Sequence, residues 1–141
     1  MIVIPFKAEH FWSIEAQPAQ EYVRGCVTEE QVKQLEKAEA FSCVEGDKVL
    51  CCFGWVEVYK TRAAIWGYMS KDVGPHFNKV TRIAKRLIKG LAYKRIELEV
   101  DCEFKDGHRW ARMLGFQLEA ECLRGFRMDG GDSAVYARVT P

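Results

Sequence analysis

The clearest pattern in the chain is a stretch in which apolar residues recur every three or four positions. From about residue 78 to residue 93 this spacing matches one face of an α-helix, and the opposite face is basic. The apolar positions are Val80, Ile83, Ala84, Leu87, Ile88 and Leu91. The pattern predicts an amphipathic helix that buries its apolar face.

Alternation of apolar and polar residues predicts the strands. Residues 95–101 place Ile96, Leu98 and Val100 on one face and acidic residues on the other, as in a half-buried strand. The Asp129–Asp132 turn separates two further extended runs and predicts a β-hairpin. The predicted strands are 2–6, 41–44, 49–58, 63–69, 95–101, 117–128 and 133–139.

Signals at their ends predict the shorter helices. Thr28 and Gln31 have the spacing of a capping box, and we predict that the helix they begin runs to about Ala40. Helical pieces at 9–14 and 20–23 precede it, and a helix at 108–114 is stopped by Gly115. The element order β, α, α, β, β, β, α, β, α, β, β predicts an α/β (α+β) fold. Its mixed, mostly antiparallel sheet is flanked by helices and ends in a C-terminal β-hairpin.

Composition limits the size and the class of the protein. At 141 residues, with 48% hydrophobic and 29% charged residues, the chain is expected to form a single globular domain over residues 1–141. The 21 basic and 20 acidic residues leave a net charge of +1. We therefore expect no general attraction to nucleic acid or to a membrane, and any such role must come from a local patch. No apolar run has membrane-spanning length and no signal peptide is visible, so we expect a cytoplasmic protein.

Six cysteines are present, without the spacing of a metal site. No CxxC pair occurs, and no cysteine stands at zinc-ligand spacing from a histidine. We expect all six to be reduced, to bind no metal and to pack as small hydrophobic residues. They are Cys26, Cys43, Cys51, Cys52, Cys102 and Cys122.

Two stretches of the chain resemble the GNAT superfamily, the GCN5-related N-acetyltransferases. The first is the strand, loop and basic helix of 63–93, which in the family binds acetyl-CoA. The second is the helix ending Met113-Leu114-Gly115-Phe116, which resembles the fourth-helix signature of the family. The opening Ile4–His10 also resembles the first strand and helix start of these proteins. Within the superfamily the chain looks most like the short single-domain members encoded by tailed bacteriophages.

The resemblance implies a site for acetyl-CoA between the fourth and fifth strands. The cofactor motif of the family, Gln/Arg-x-x-Gly-x-Gly/Ala, falls on Lys79-Val80-Thr81-Arg82-Ile83-Ala84 when the apolar phase of the helix is aligned. Backbone N–H groups at such a helix start cradle a pyrophosphate. Arg82 replaces the expected glycine, where it could obstruct the phosphates or bind them, and Gly74 offers an earlier flexible point. Met69 and Ser70, at the end of the preceding strand, complete the expected cofactor-binding set.

The basic run of the amphipathic helix has three interpretations. The first is that the basic residues form a solvated helix face. The second is that they bind phosphate at the N-terminal end of the helix. The third is that they form a surface for nucleic acid or an acidic protein. A single-strand binder needs aromatic stacking platforms, and the helix has none between Phe77 and Tyr93, so nucleic acid is not expected. The basic residues are Lys79, Arg82, Lys85, Arg86, Lys89, Lys94 and Arg95.

The resemblance also implies proton transfer during acyl transfer, but the usual residue is missing. The tyrosine that often serves as the acid falls on Ala111. His108 is the nearest titratable replacement, and its alternative role is a helix cap or a surface residue. Glu57 and Tyr68 are candidate bases near the expected cleft, and Glu57 is otherwise an outward-facing strand residue.

Two functions follow from these observations. The first is an acetyl-CoA-dependent N-acetyltransferase acting on an unidentified amine, which is a small molecule or a protein. The second is a catalytically degenerate GNAT-fold phage protein that binds a host or virion partner. Arg82 and Ala111 favour the second, and the strand–loop–basic-helix layout favours the first. A homodimer is compatible with both.

Overall fold

Seven strands form one mixed sheet in the computed structural model, which describes residues 1–141. The strand order is β1-β2-β3-β4-β5-β7-β6. β4 and β5 pair in parallel, whereas β1–β2, β2–β3, β5–β7 and β6–β7 pair antiparallel, so the predicted fold class is confirmed. The strands are β1 (Ile2–Pro5), β2 (Glu39–Glu45), β3 (Lys48–Tyr59), β4 (Arg62–Met69), β5 (Arg95–Asp101), β6 (Gln117–Leu123) and β7 (Ser133–Val139).

Five α-helices connect the strands. They are α1 (Ala8–Ser13), α2 (Tyr22–Cys26), α3 (Glu29–Gln34), α4 (Phe77–Lys89) and α5 (Lys105–Met113). Single 3-10 turns lie at Pro18–Gln20, Leu35–Lys37 and Gly74–His76. The order matches the prediction, with one additional short helix, because residues 18–26 form a 3-10 turn followed by α2.

The ends of two helices differ from the prediction. The capping box of Thr28 and Gln31 is present, with both bonds formed, but α3 ends at Gln34 instead of reaching Ala40. Ala40 pairs with Gly54 of β3 and is buried. The last residues of the predicted helix therefore belong to β2 instead. Similarly α4 ends at Lys89 and not at residue 93, since Gly90 follows it.

The chain divides into two compact units. The first comprises Met1–Val56 and Trp66–Val80, and the second comprises Glu57–Ile65 and Thr81–Pro141. The first unit buries aromatic and aliphatic side chains from its helices against β2, β3 and β4. This core consists of Phe6, Phe11, Ile14, Ala16, Val32, Ala40, Cys52 and Tyr68.

The second unit packs α4 and α5 against β5 and β7. Ile96 of β5 and Tyr136 of β7 are fully buried beneath the two helices. Gly115 ends α5 in a left-handed conformation, with φ of 95°, and the N–H of Phe116 bonds to the carbonyl of Ala111 at 3.1 Å. The predicted Gly–Phe helix end is therefore confirmed.

Strand β6 is shorter than predicted. It ends at Leu123 instead of continuing to residue 128, and Gly125 follows with φ of 67°, outside the strand region. Arg127 then forms ion pairs with Asp101 and Asp129, each at 2.7 Å. These pairs fold residues 124–132 into a loop, and the hydrogen bond from Arg127 lowers the pKa of Asp129 to about 2.

The cysteines do not all behave as expected. Cys102 and Cys122 form a disulfide, so the expectation of six reduced cysteines is wrong for this pair. Cys43, Cys51 and Cys52 are free and buried, as predicted, whereas Cys26 is free but exposed. No cluster of three or more His, Cys, Asp or Glu residues could hold a metal ion. None of the helices has the length and apolar character needed to cross a membrane.

Candidate functional site

The chain enters α4 through a loop that leaves one backbone donor free. The N–H of Asp72 bonds to Ser70 Oγ at 3.0 Å, and the N–H of His76 bonds to the carbonyl of Val73 at 2.8 Å. Gly74, between them, has no partner for its N–H. A Cβ placed on Gly74 would meet no atom within 4 Å. The start of this 13-residue helix therefore offers an open N–H donor at its positive end, which suits a phosphate.

The predicted motif lies in the first turns of α4. Because α4 begins at Phe77, residues 79–84 fall inside it, and from Thr81 onward their N–H groups bond within the helix. Val80, Thr81 and Ala84 are buried, and Ile83 is half-buried. Thr81 Oγ1 accepts a hydrogen bond from Trp110 Nε1 at 3.0 Å, which ties α4 to α5. The free N–H of Gly74 precedes this motif, so the loop before α4 adds a backbone donor to the N-terminal end of the helix.

The exposed side of α4 remains cationic and unpaired. Five basic side chains are exposed, and none forms an ion pair or a hydrogen bond. Arg82 is one of them, and its side chain is exposed to solvent. The five are Lys79, Arg82, Lys85, Arg86 and Lys89.

Arg95 belongs to a different set of contacts. It pairs with Glu97 and Glu119, each at 2.7 Å, and Glu97 also accepts a bond from Arg62 Nε at 3.0 Å. Burial raises the pKa of Glu97, but the hydrogen bonds from Arg62 and Arg95 outweigh this effect, so the pKa is lowered. Arg95 is thus a structural link between strands.

The end of β4 is already hydrogen-bonded. The N–H of Met69 bonds to Gln20 Oε1 at 2.9 Å, and the Met69 carbonyl accepts from the N–H of Gln17 at 3.1 Å. The N–H of Ser70 bonds to the carbonyl of Leu50 on β3 at 2.9 Å. The two residues predicted to contact the cofactor here have these backbone groups occupied.

Tyr68 is the one predicted catalytic residue with a buried polar atom that has no partner. It is 2% exposed, and its ring stacks on Phe11 with centroids 4.3 Å apart. Its hydroxyl has no hydrogen-bond partner. Burial raises the pKa of Tyr68, with smaller opposing influence from Arg24. Tyr68 therefore stays a neutral hydroxyl near pH 7, which makes it a hydrogen-bond donor and a poor base.

His108 has both ring nitrogens occupied. Nε2 lies 3.0 Å from the carbonyl oxygen of Cys102, and Nδ1 lies 2.7 Å from the hydroxyl of Tyr136. A carbonyl only accepts, so Nε2 carries the proton and Nδ1 accepts from Tyr136. The half-buried imidazole thus links α5 to the end of β5 and to β7.

Glu57 is an exposed residue near the end of β3. Its Oε1 accepts a hydrogen bond from the hydroxyl of Tyr93 at 3.0 Å. Glu57 and His108 belong to the second unit, whereas Tyr68, Met69, Ser70 and Lys79 belong to the first.

The first unit also contains an acidic cavity that the sequence analysis missed. It has a volume of about 300 Å³, and Ser70 contributes to its wall together with Glu15, Asp47, Lys48 and Asp72. Lys48 pairs with Asp72 at 2.9 Å, and this hydrogen bond lowers the pKa of Asp72. Asp47 has no ion-pair partner. The acidic residues come from three separate segments of the chain, so no local sequence motif predicts that they lie together.

Comparison with solved structures identifies the fold. Ard1 from Thermoplasma volcanium superposes with a TM-score of 0.77 at 14% identity, over 99% of this chain and 97% of that one. Aminoglycoside 6′-acetyltransferase type Ii gives 0.73 at 14% identity, over 100% and 99%. A GNAT-family acetyltransferase from Bacillus anthracis gives 0.68 at 14% identity, over 97% and 93%. No protein-family model and no curated protein sequence matches the chain.

The chain therefore has the fold of the GNAT acetyltransferases, as the sequence resemblance implied. At these identities the similarity establishes the fold alone.

Proposed function

We propose that this chain is an N-acetyltransferase that transfers the acetyl group of acetyl-CoA to an amine. The observation that carries the proposal is the start of α4, where the free N–H of Gly74 precedes a helix with five unpaired cations. A free N–H at a positive helix end beside exposed lysine and arginine suits the phosphates of coenzyme A. Lys79 and Arg82 are the cations nearest that end.

Tyr68 fits the proton requirement of this reaction. Acyl transfer joins the amine nitrogen to the acetyl carbon and breaks the thioester C–S bond. The nitrogen loses one proton to water, and the departing sulfur gains one or accepts a hydrogen bond. The neutral hydroxyl of Tyr68 supplies a donor that no protein group uses. His108 would have to release Tyr136 or Cys102 to serve the same purpose, and Glu57 is an exposed acceptor from Tyr93.

The acidic cavity supports a cationic acceptor. Asp47 on its wall would attract a protonated amine and raise its local concentration. Since Glu15 and Asp72 are paired with lysines, Asp47 carries the free charge.

Calorimetry with acetyl-CoA tests the proposal. Replacing Lys79 and Arg82 together by Ala should weaken binding at least tenfold, because two charge-assisted contacts to phosphate are lost. The control replaces Lys33 and Lys37, two exposed lysines in and just after α3, and should bind like the wild type. Equal binding by the Lys79/Arg82 variant would show that the phosphates lie elsewhere.

A second candidate is a catalytically degenerate GNAT-fold protein that binds a host or virion partner. The occupied backbone at Met69 favours it, since a cofactor site needs that edge free. Phe126 and Met128, 52% and 56% exposed in the β6–β7 loop, offer apolar contacts for a partner or a second copy. The absence of any melting-temperature shift with acetyl-CoA would support this candidate, because a ligand at 100 times its Kd stabilises by about 2.7 kcal/mol.

We also propose that the chain is cytoplasmic and related to short phage-encoded acetyltransferases. Four free cysteines, three of them buried, support a reducing compartment. The Cys102–Cys122 disulfide counts against it, because stable disulfides are rare in the cytoplasm.

A further inference from the structure

The side chain of Gln20 imitates a neighbouring strand on β4. Its Nε2 donates to the carbonyl of Gly67 at 2.8 Å, and its Oε1 accepts from the N–H of Met69 at 2.9 Å. One primary amide thus satisfies an acceptor and a donor two residues apart. That is the pattern that the N–H and C=O of one residue in a parallel neighbouring strand would satisfy.

These two β4 groups lie on the edge that does not face β3. Successive residues of a strand direct their backbone groups to opposite edges. Ser70 directs its N–H to Leu50 of β3, so Gly67 and Met69 face the other way. The same edge is covered further by Gln17, whose N–H bonds to the Met69 carbonyl, and by a bridge between Ala16 and Ser70.

The segment that carries Gln20 is lightly packed. Neither the 3-10 turn Pro18–Gln20 nor helix α2 buries a residue. Val23 is only partly buried against the core, and polar contacts also hold the segment, including those of Gln20 and a bond from Arg24 to the carbonyl of Trp12 at 3.0 Å. Segments with few buried apolar contacts open at low cost in free energy, so this one can be displaced without unfolding the unit.

We propose that Gln20 is a displaceable latch that a ligand with amide groups must replace on β4. This inference rests on the proposed function. The pantetheine arm of coenzyme A carries amide groups, and an extended amide ligand pairs with an exposed strand edge as an added strand does. The carbonyl of Gly67 and the N–H of Met69 would then exchange the single Gln20 amide for two amide groups of the ligand, and Gln20 would weaken the binding of the arm by competing with it.

Calorimetry with two probes tests the latch. Coenzyme A carries the amide arm, whereas adenosine 3′,5′-bisphosphate has the phosphates without it. Gln20→Ala should bind coenzyme A up to about tenfold more tightly, because the ligand no longer competes with side-chain hydrogen bonds of modest net strength. Its affinity for adenosine 3′,5′-bisphosphate should be unchanged. The matched control Gln34→Ala removes an exposed glutamine of α3 and should leave both affinities as in the wild type.

The outcomes separate this inference from the function on which it rests. Unchanged coenzyme A affinity in Gln20→Ala, or an equal gain for both probes, overturns the latch and leaves the proposed function standing. Failure of the wild type and of Gln20→Ala to bind either probe overturns both.

A measurement on the wild type avoids any effect of the substitution on folding. Saturating coenzyme A should move the NMR signals of the Gln20 side-chain amide to those of a free glutamine. The N–H of Met69 should stay protected from hydrogen exchange, because the ligand replaces its partner. Unmoved Gln20 signals at saturation would contradict the latch.

Discussion

The ring of Tyr68 stacks on that of Phe11 with 27° between their planes, and this contact holds the Tyr68 hydroxyl inside the first unit. The hydroxyl has no partner there. An unpaired buried hydroxyl lowers stability, and in a core of Phe11, Cys52 and Ala40 a phenylalanine would fill the same space. The tyrosine is therefore better explained by a role in chemistry than by folding.

Tyr68→Phe should separate stability from activity. We expect the free energy of unfolding to stay constant or rise by about 1 kcal/mol, since a desolvated hydroxyl is removed. Acetyl transfer to a competent amine should fall by about 10²-fold if the hydroxyl donates to the departing sulfur. Urea titration and a thiol-release assay measure the two quantities. A large loss of stability would mean that the hydroxyl has a partner.

The same residue predicts how stability depends on alkaline pH. Burial raises the pKa of Tyr68 in the folded state above its ordinary value of 10.0. Above pH 10 the unfolded chain loses the phenolic proton while the folded chain keeps it, so this residue makes stability fall as pH rises. Urea titrations between pH 9 and 11 should show a shallower decline in Tyr68→Phe than in the wild type. Tyr59→Phe, at an exposed tyrosine, serves as the control.

His108→Ala should reduce stability more than it changes chemistry. The substitution leaves the buried hydroxyl of Tyr136 and the Cys102 carbonyl without their partner, which costs about 1–3 kcal/mol. Chemical denaturation measures this loss, with Arg109→Ala on the exposed side of α5 as the control. A tenfold fall in turnover with unchanged stability would instead make His108 the proton donor.

Gly74→Ala should weaken coenzyme A binding without harming the fold. The added methyl group meets no protein atom within 4 Å, but it stands beside the N–H that we assign to a phosphate. We expect binding to weaken about tenfold by calorimetry, with an unchanged melting temperature. Gly25→Ala in α2 also has open space around it and should bind normally. Normal binding by Gly74→Ala would remove this glycine from the site.

Reduction of the disulfide should destabilise the protein. Cys102 and Cys122 are separated by 20 residues, and closing a loop of this length stabilises by about 3 kcal/mol in the chain-entropy description. Thiol titration of the denatured, unreduced protein should count four thiols, and six after reduction. The double variant Cys102→Ser/Cys122→Ser should melt lower than Cys26→Ser, which changes an exposed free cysteine. Six thiols before reduction would show that the bond does not form.

Local signals were enough to predict most of the elements. The spacing of apolar residues in α4, the alternation in β5, the Thr28–Gln31 cap and the Gly115 helix end all depend on neighbours within a few residues. Where prediction failed, a distant partner was involved. Ala40 became part of a strand because Gly54 lies opposite it. Residues after Leu123 left the strand because Arg127 pairs with Asp101 and Asp129.

The sequence by itself therefore determined the element order and, through it, the fold class of this protein. The tertiary structure decided the site. In the sheet, β7 lies between β5 and β6, and Cys102 and Cys122 form a disulfide. Chain folding also brings the Gln20 side chain to the carbonyl of Gly67 and the N–H of Met69, and it hydrogen-bonds to both. The free N–H of Gly74 likewise depends on how the loop before α4 folds. Periodicity records which face of an element is buried, whereas hydrogen bonds between distant residues depend on positions that only the packed chain fixes.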